Sequence, residues 1–330
     1  KKINEMNKLV TINYLPHTRH DFSELTFHYL KNIKKNNKDK IKLNVLATVE
    51  NDWVNKCDGL GIEYSIHVIS GENNYLSKVN IAVQSDTEYS VKLDDDCFIN
   101  NYIWDYMIEN VGLLDNEENL VMSPIMTNNI PSVDLFIDNA IKDVNVVEKV
   151  KQFFINRTMP NGLFGVNYAP LNKHTIDADV WDYKQFHNGV RELGTEFMGI
   201  HPVRISYEAQ VEINEYVLNN LSIITDSNDY SVTEFDAPYF TNSLFMIKTS
   251  TWKRIVSDKT LFVDAFDEVP LNKYFRRNNK KLIFINNGFG LHLMYNTVFG
   301  NQNPWGIGMV DADIYEISVY DRLLSKIKND

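Results

Sequence analysis

The sequence predicts an α/β protein built on a doubly wound, largely parallel sheet. Two observations carry this. Apolar, β-branched runs alternate with segments of helical spacing over the first hundred residues, and three consecutive aspartates, Asp94, Asp95 and Asp96, follow directly on one of those runs. Size agrees: 330 residues with 44% hydrophobic content suffice for one large α/β domain or two ordinary ones.

Taken in order, Leu9-Val10-Thr11-Ile12-Asn13-Tyr14 reads as the first strand and stops at Leu15-Pro16, because a proline ends a strand well. Phe22, Leu25, Tyr29, Leu30 and Ile33 then recur at helical spacing, with lysines following at the end that the helix dipole makes negative. Residues 41–49 read as a second strand and 62–69 as a third. Tyr75, Leu76, Val79, Ala82 and Val83 mark one face of a helix, and Tyr89-Ser90-Val91-Lys92-Leu93 is the next strand. The resulting order is β-α-β-β-α-β, and sheets of this kind bind ligands at the carboxyl ends of their strands. The aspartate trio sits at such an end.

Between about residues 101 and 230 one strand stands out, residues 119–125, followed by a stretch rich in aromatics, histidines and amides from 153 to 201. A loop-rich insertion of that length usually carries function or partner contacts. Further on, the pattern predicts a helix over 208–219, a strand over 239–248, a short helix over 271–277 and a strand over 282–286. Ile317, Tyr320, Leu324 and Ile327 give a terminal helix its buried stripe. No internal repeat or low-complexity linker divides the chain, which favours one domain with a large insertion.

The net charge of -11 gives no general attraction to nucleic acid or anionic lipid. There is no run of 18 or more apolar residues and no apolar core of a signal peptide, so a cytoplasmic protein without an integral membrane segment is expected. Cys57 and Cys97 are too few for a disulfide framework and are expected to be reduced and packed.

Three adjacent carboxylates repel one another unless a cation or hydrogen-bond donors compensate. Magnesium or manganese does this, as a hard ion that takes oxygen ligands and bridges to substrate phosphates; the competing reading is a solvated acidic turn. There is no Gly-x-x-x-x-Gly-Lys-Ser/Thr loop, no Gly-x-Gly-x-x-Gly, no His-Glu-x-x-His, no Gly-x-Ser-x-Gly and no EF-hand spacing. A nucleotide bound here would be held by metal and side chains rather than by a glycine cradle.

The segment Tyr75-Leu76-Ser77-Lys78-Val79-Asn80-Ile81-Ala82, followed by Glu88-Tyr89-Ser90-Val91-Lys92-Leu93-Asp94-Asp95-Asp96, resembles the helix and Asp-x-Asp strand of GT-A nucleotide-diphospho-sugar glycosyltransferases. The resemblance implies that Asp94 faces the ribose or the metal, that Asp95 lies near the sugar, that Asp96 coordinates the metal on the diphosphate, and that Lys78 and Asn80 approach the nucleotide. Downstream, the run from Pro238 to Ile247 resembles the family's strand near the acceptor site. Asp267-Glu268-Val269-Pro270-Leu271 resembles its acidic pair before a helix, the source of the general base in inverting enzymes, and His292 falls where many members place a histidine metal ligand. The acidic pair is Asp-Glu here rather than Glu-Asp, and the arginine-rich acceptor motif of parts of the family is absent.

The fold so implied is a GT-A-like mixed sheet flanked by helices: a Rossmann-like nucleotide-binding half over 1–100, an insertion and acceptor region over 101–230, and an acceptor and catalytic half over 231–330. The implied activity is metal-dependent transfer of a sugar from a nucleotide-diphosphate donor to a glycan or other hydroxyl acceptor, with Mn2+ or Mg2+ as cofactor. Its metal ligands would be Asp94, Asp96 and His292, and its base Glu268 or Asp267. Each residue has a plainer reading. His292, between Leu291 and Leu293, can be a packed histidine. Asp267 and Glu268 can be first-turn acids favoured by the helix dipole. Tyr14 and Arg19 either contact base and diphosphate or border a loop. Trp181, Tyr183, His187, His201 and Arg204 either form an acceptor platform or belong to the core. A nucleotidyltransferase, a metal-dependent hydrolase and a non-catalytic carbohydrate-binding protein are the alternative functions.

Overall fold

The computed structural model describes residues 8–16, 20–49, 52–71, 74–129, 132–155, 203, 207–221, 231–233, 240–261, 268–293 and 312–329. In chain order they form β1 (Val10–Leu15), α1 (Ser23–Lys31), α2 (Lys35–Lys38), β2 (Ile41–Ala47), α3 (Trp53–Asp58), β3 (Glu63–Val68), α4 (Asn74–Val83), β4 (Tyr89–Asp94) and β5 (Cys97–Phe98). Then follow α5 (Asn101–Glu109), β6 (Asn119–Met126), α6 (Ser132–Leu135), α7 (Val144–Ile155), α8 (Tyr207–Asn219), β7 (Ser231–Thr233), β8 (Leu244–Lys248), α9 (Thr249–Ser257), α10 (Glu268–Arg277), β9 (Lys281–His292) and α11 (Ala312–Asn329). The fold is α/β, a mixed sheet with helices. Two compact units divide it: Lys1–Pro124 with Tyr230–Thr233 and Asn242–Ile285, and Ile125–Asp229 with Glu234–Thr241 and Asn286–Asp330.

In the first unit, β3-β2-β1-β4 are neighbours and all parallel, the order of a Rossmann-like half. The sequence predicts no helix between the second and third strands; the structure has α3 there, six residues long. It is too short for a periodic stripe, and it buries only Trp53 and Cys57. Strand β8 then lies antiparallel beside β4, with Leu93 opposite Leu244 and Val91 opposite Met246, and β6 lies antiparallel on the far side of β8. β4 is therefore hydrogen-bonded along both edges and buried, and its Ser90 and Lys92, which alternate with Tyr89, Val91 and Leu93, are buried with it.

Several buried polar groups inside this sheet are paired. Thr11 and Thr87 hydroxyls are 2.6 Å apart, and the Asn13 amide donates to the Val91 carbonyl while its oxygen accepts from Asn44. Such pairing is needed, since an unpaired buried amide costs on the order of 1–3 kcal/mol. Helix α5 begins at Asn100, whose side chain accepts from the Ile103 N–H at 2.9 Å, an N-cap that fixes where the chain turns after the aspartates. The expected strand over 239–248 is shorter, covering Leu244–Lys248, and Asn242 and Ser243 precede it as buried loop residues.

In the second unit, α7 and α8 pack together, with an ion pair between Lys149 and Glu212. Arg322 of α11 grips Glu215 of α8 in a two-pronged pair at 2.6 and 2.8 Å. Phe136 stacks edge-on against Phe289, ring centroids 5.5 Å apart. The helix expected over 208–219 is present as α8, and the terminal helix as α11. The strand expected over 282–286 is longer, running to His292.

Candidate functional site

Asp94 is the last residue of β4 and lies opposite Leu15, the last residue of β1. Asp95 and Asp96 form the turn that leads into β5. The trio thus occupies the carboxyl end of a central strand in the parallel part of the sheet, where such sheets present ligand sites. Asp95 is buried, and Asp94 and Asp96 are half-buried. The Asp94 backbone N–H donates to the Ser243 carbonyl at 2.9 Å, so the loop before β8 fixes the strand end.

Two buried lysines stand at the same strand ends. Lys78, on α4, donates to the Pro16 carbonyl at 2.8 Å and to the Thr48 hydroxyl at 2.6 Å, tying the segments that follow β1 and β2. Burial pulls its pKa below the ordinary lysine value, while the charges of Asp95 and Asp94 act in the opposite sense. Lys92, within β4, donates to Asp94 Oδ1 at 2.7 Å and to the Asn242 carbonyl at 3.0 Å. Its side chain is 0% exposed and that of Asp94 25%. Breaking a fully buried ion pair costs on the order of 3–5 kcal/mol, and the partial exposure of Asp94 reduces that figure.

Sequence reasoning assigned Lys92 to the strand and gave it no role. The signal was there: on a strand, residues two apart share a face, so a lysine two before an aspartate at a strand's end reaches it without leaving the sheet. With Lys78 and Lys92 present, the carboxylate repulsion that pointed to a metal is partly relieved by the protein itself. Cys97, buried beside the trio, has its thiol 3.7 Å from Asp96 Oδ1. Burial, with Asp96 and Asp94 adding to it, pushes that thiol well above its ordinary range, so it stays protonated.

The remaining sequence-predicted residues are placed as follows. Tyr14, on β1, has its ring buried in an aromatic cluster, 5.6 Å from Phe27 and 6.4 Å from Trp53 between centroids. Asn80 is exposed on α4. Glu268 opens α10. Arg19, Asp267, Trp181, Tyr183, His187, His201 and Arg204 lie outside the described residues.

His292 belongs to the second unit and ends β9. It is buried, its N–H donates to the Thr127 hydroxyl at 3.0 Å, and its Nδ1 lies 2.6 Å from Asn129 Oδ1. The Asn129 amide nitrogen lies 3.2 Å from the Met126 sulfur, so the amide oxygen is the atom turned to the ring. That arrangement assigns the proton to Nδ1 and the lone pair to Nε2, the tautomer a ligating histidine uses.

No protein-family model and no curated protein matches the chain. Among solved structures, a crystal structure of GalNAc-T7 with UDP, GalNAc and Mn2+ aligns with 96% of this chain and 49% of that one, at 10% sequence identity and a TM-score of 0.43. The chain spans about half the length of that protein. No helix among the described residues is long and apolar enough to cross a membrane.

Proposed function

We propose that the chain is a metal-dependent glycosyltransferase that takes its sugar from a nucleotide-diphosphate donor, with the donor site at the carboxyl end of β4. One observation carries the reading: three aspartates, two of them half-buried, close a central parallel strand, and the buried ammonium of Lys78 stands at the neighbouring strand ends. Carboxylate oxygens of this number suit a hard dication, Mn2+ or Mg2+. Such an ion, when bound, neutralises the charge that builds on the departing diphosphate.

The chain's own residues do the rest. Asp96 is the carboxylate we assign to the ion, Asp94 faces ribose or ion, and Asp95 faces the sugar. Lys78 supplies positive charge toward the phosphates, Asn80 and Arg19 supply polar contacts, and Tyr14 backs the first strand end. An acceptor hydroxyl attacks with loss of a proton, which a carboxylate must accept if configuration inverts. Glu268 is assigned that role, with Asp267 as its neighbour. His292 is assigned as an imidazole ligand through Nε2, on the ring orientation within its own unit.

The test is calorimetric titration of UDP and of GDP in chelator and in Mn2+, followed by a nucleotide-sugar screen for release of nucleoside diphosphate. Binding that needs the ion, with release from one sugar nucleotide, supports the reading. Equal affinity with and without the ion overturns it.

A further inference from the structure

We propose that the lysine-rich stretch from the end of α1 to the start of β2, residues 31–42, is a docking face for an anionic lipid surface. The proposal goes beyond the donor reading and does not depend on it.

The stretch holds six lysines and one acid, Asp39, so the chain's net charge of -11 divides into +5 here and -16 elsewhere. Its buried members are Ile33, Asn37 and Ile41, which recur at every fourth position and turn inward. Between them, Lys31, Lys34 and Lys35 are exposed and Lys38, Lys40 and Lys42 half-buried. Two of the six are matched by carboxylates, Lys34 by Glu109 at 3.0 Å and Lys42 by Asp86 at 2.6 Å. Lys31, Lys35, Lys38 and Lys40 form no ion pair among the described residues.

The cations are crowded. The Lys38 ammonium donates to the carbonyls of Lys31 and Leu60 at 2.6 and 2.7 Å. Burial, and then the charge of Lys31, pulls that ammonium and the nearby His28 imidazole below their ordinary pKa values. Like charges held together repel, and an anionic surface relieves that repulsion.

Lipid headgroups fit this chemistry better than nucleic acid does. No arginine stands in the stretch. The planar fork of arginine suits phosphate and base recognition, whereas lysine is a hydrated point charge on a flexible stem and answers to a diffuse field. Each lysine near an anionic bilayer strengthens binding by roughly fivefold. The acidic remainder of the chain is repelled by the same surface, which confines contact to this face. β1, β2 and β4 are parallel, so Lys40, at the start of β2, lies at the strand ends opposite the aspartate turn. At about 3.3 Å per residue the two are on the order of 20 Å apart along the strands, and docking leaves the aspartates open to solution.

Vesicle co-sedimentation tests this on three proteins: the wild type, Lys31→Gln/Lys35→Gln/Lys40→Gln, and Lys259→Gln/Lys326→Gln/Lys328→Gln. The last removes the same charge from exposed lysines elsewhere. The wild type should bind phosphatidylglycerol vesicles at low salt, release as salt rises, and ignore phosphatidylcholine vesicles. The first variant should bind roughly a hundredfold more weakly, and the second should stay within about threefold of the wild type. Amine labelling of the wild type decides the matter by itself if the first variant does not fold: phosphatidylglycerol vesicles should protect Lys31, Lys35 and Lys40 and leave Lys259 and Lys326 reactive. Absence of wild-type binding to phosphatidylglycerol, an equal loss in both variants, or labelling at the three lysines that vesicles do not change overturns the proposal. Tighter binding to a DNA duplex than to phosphatidylglycerol at equal phosphate concentration overturns the choice of lipid.

Discussion

The Lys78 ammonium lies 2.6 Å from the Thr48 hydroxyl and 2.8 Å from the Pro16 carbonyl, so one side chain from α4 joins the ends of β1 and β2 beside the aspartates. Lys78→Met keeps most of the buried stem and removes the charge and both hydrogen bonds. Stability should fall by about 1–3 kcal/mol through the unmet carbonyl and hydroxyl. Nucleoside diphosphate affinity should fall with it. Chemical denaturation and UDP or GDP titration in Mn2+ check the two effects, and a variant that loses stability at full nucleotide affinity assigns Lys78 to the scaffold alone.

On the proposed reading, Asp96→Asn should cut turnover by at least about a hundredfold, because the substitution weakens the hold on the ion that would offset the charge of the leaving diphosphate. The residue is a half-buried turn residue outside the apolar core, so folding should be little affected. Relief of carboxylate repulsion can raise the melting temperature of the ion-free protein. Steady-state rates in Mn2+ with a melting curve in chelator check both; near-normal turnover would put the ion elsewhere.

Glu268→Gln keeps size and hydrogen-bonding capacity but cannot take the acceptor proton. Transfer should drop by roughly two to four orders of magnitude, the usual contribution of a placed general base, while donor binding barely changes. Asp267→Asn is the internal control, since one of two adjacent residues at a helix start is expected to point at the acceptor. Normal transfer in both variants would make these acids helix-terminal charges and favour a retaining mechanism or another base.

Asn129→Leu removes the acceptor that orients the His292 ring. If the imidazole ligates a divalent ion, Mn2+ affinity should fall by roughly 10- to 100-fold, the usual effect of losing the partner of a ligating histidine. His292→Ala should match or exceed that loss. Unchanged affinity in both would make His292 a packed residue satisfied by Thr127 and Asn129.

The parallel β3-β2-β1-β4 part of the sheet was legible because its signals are local. Apolar runs of period two and stripes of helical period place β1, β2, β3, α4 and β4 within a residue or two of where they lie, and the aspartates at the end of β4. What escaped was short or non-local. Helix α3 has too few turns to show a stripe, and α5 declares itself chiefly by its Asn100 cap. That β8 pairs antiparallel with β4 depends on a register between segments far apart in sequence, which no local pattern encodes. Lys92 was read as one more strand residue because its partner follows after the apolar run ends.

The carbonyl that receives Lys92 belongs to Asn242, 150 residues later in the chain. At synthesis rates of about 5–20 residues per second, it emerges roughly 8 to 30 seconds after the strand it completes. Until then β4 has an open edge where β8 will dock, and its lysine lacks one of its enclosing partners. An open edge is a template for pairing with other chains. The arrangement that makes the finished carboxylate cluster rigid therefore makes the nascent chain vulnerable: truncation before Asn242 removes the strand that covers β4 and leaves a product prone to aggregate.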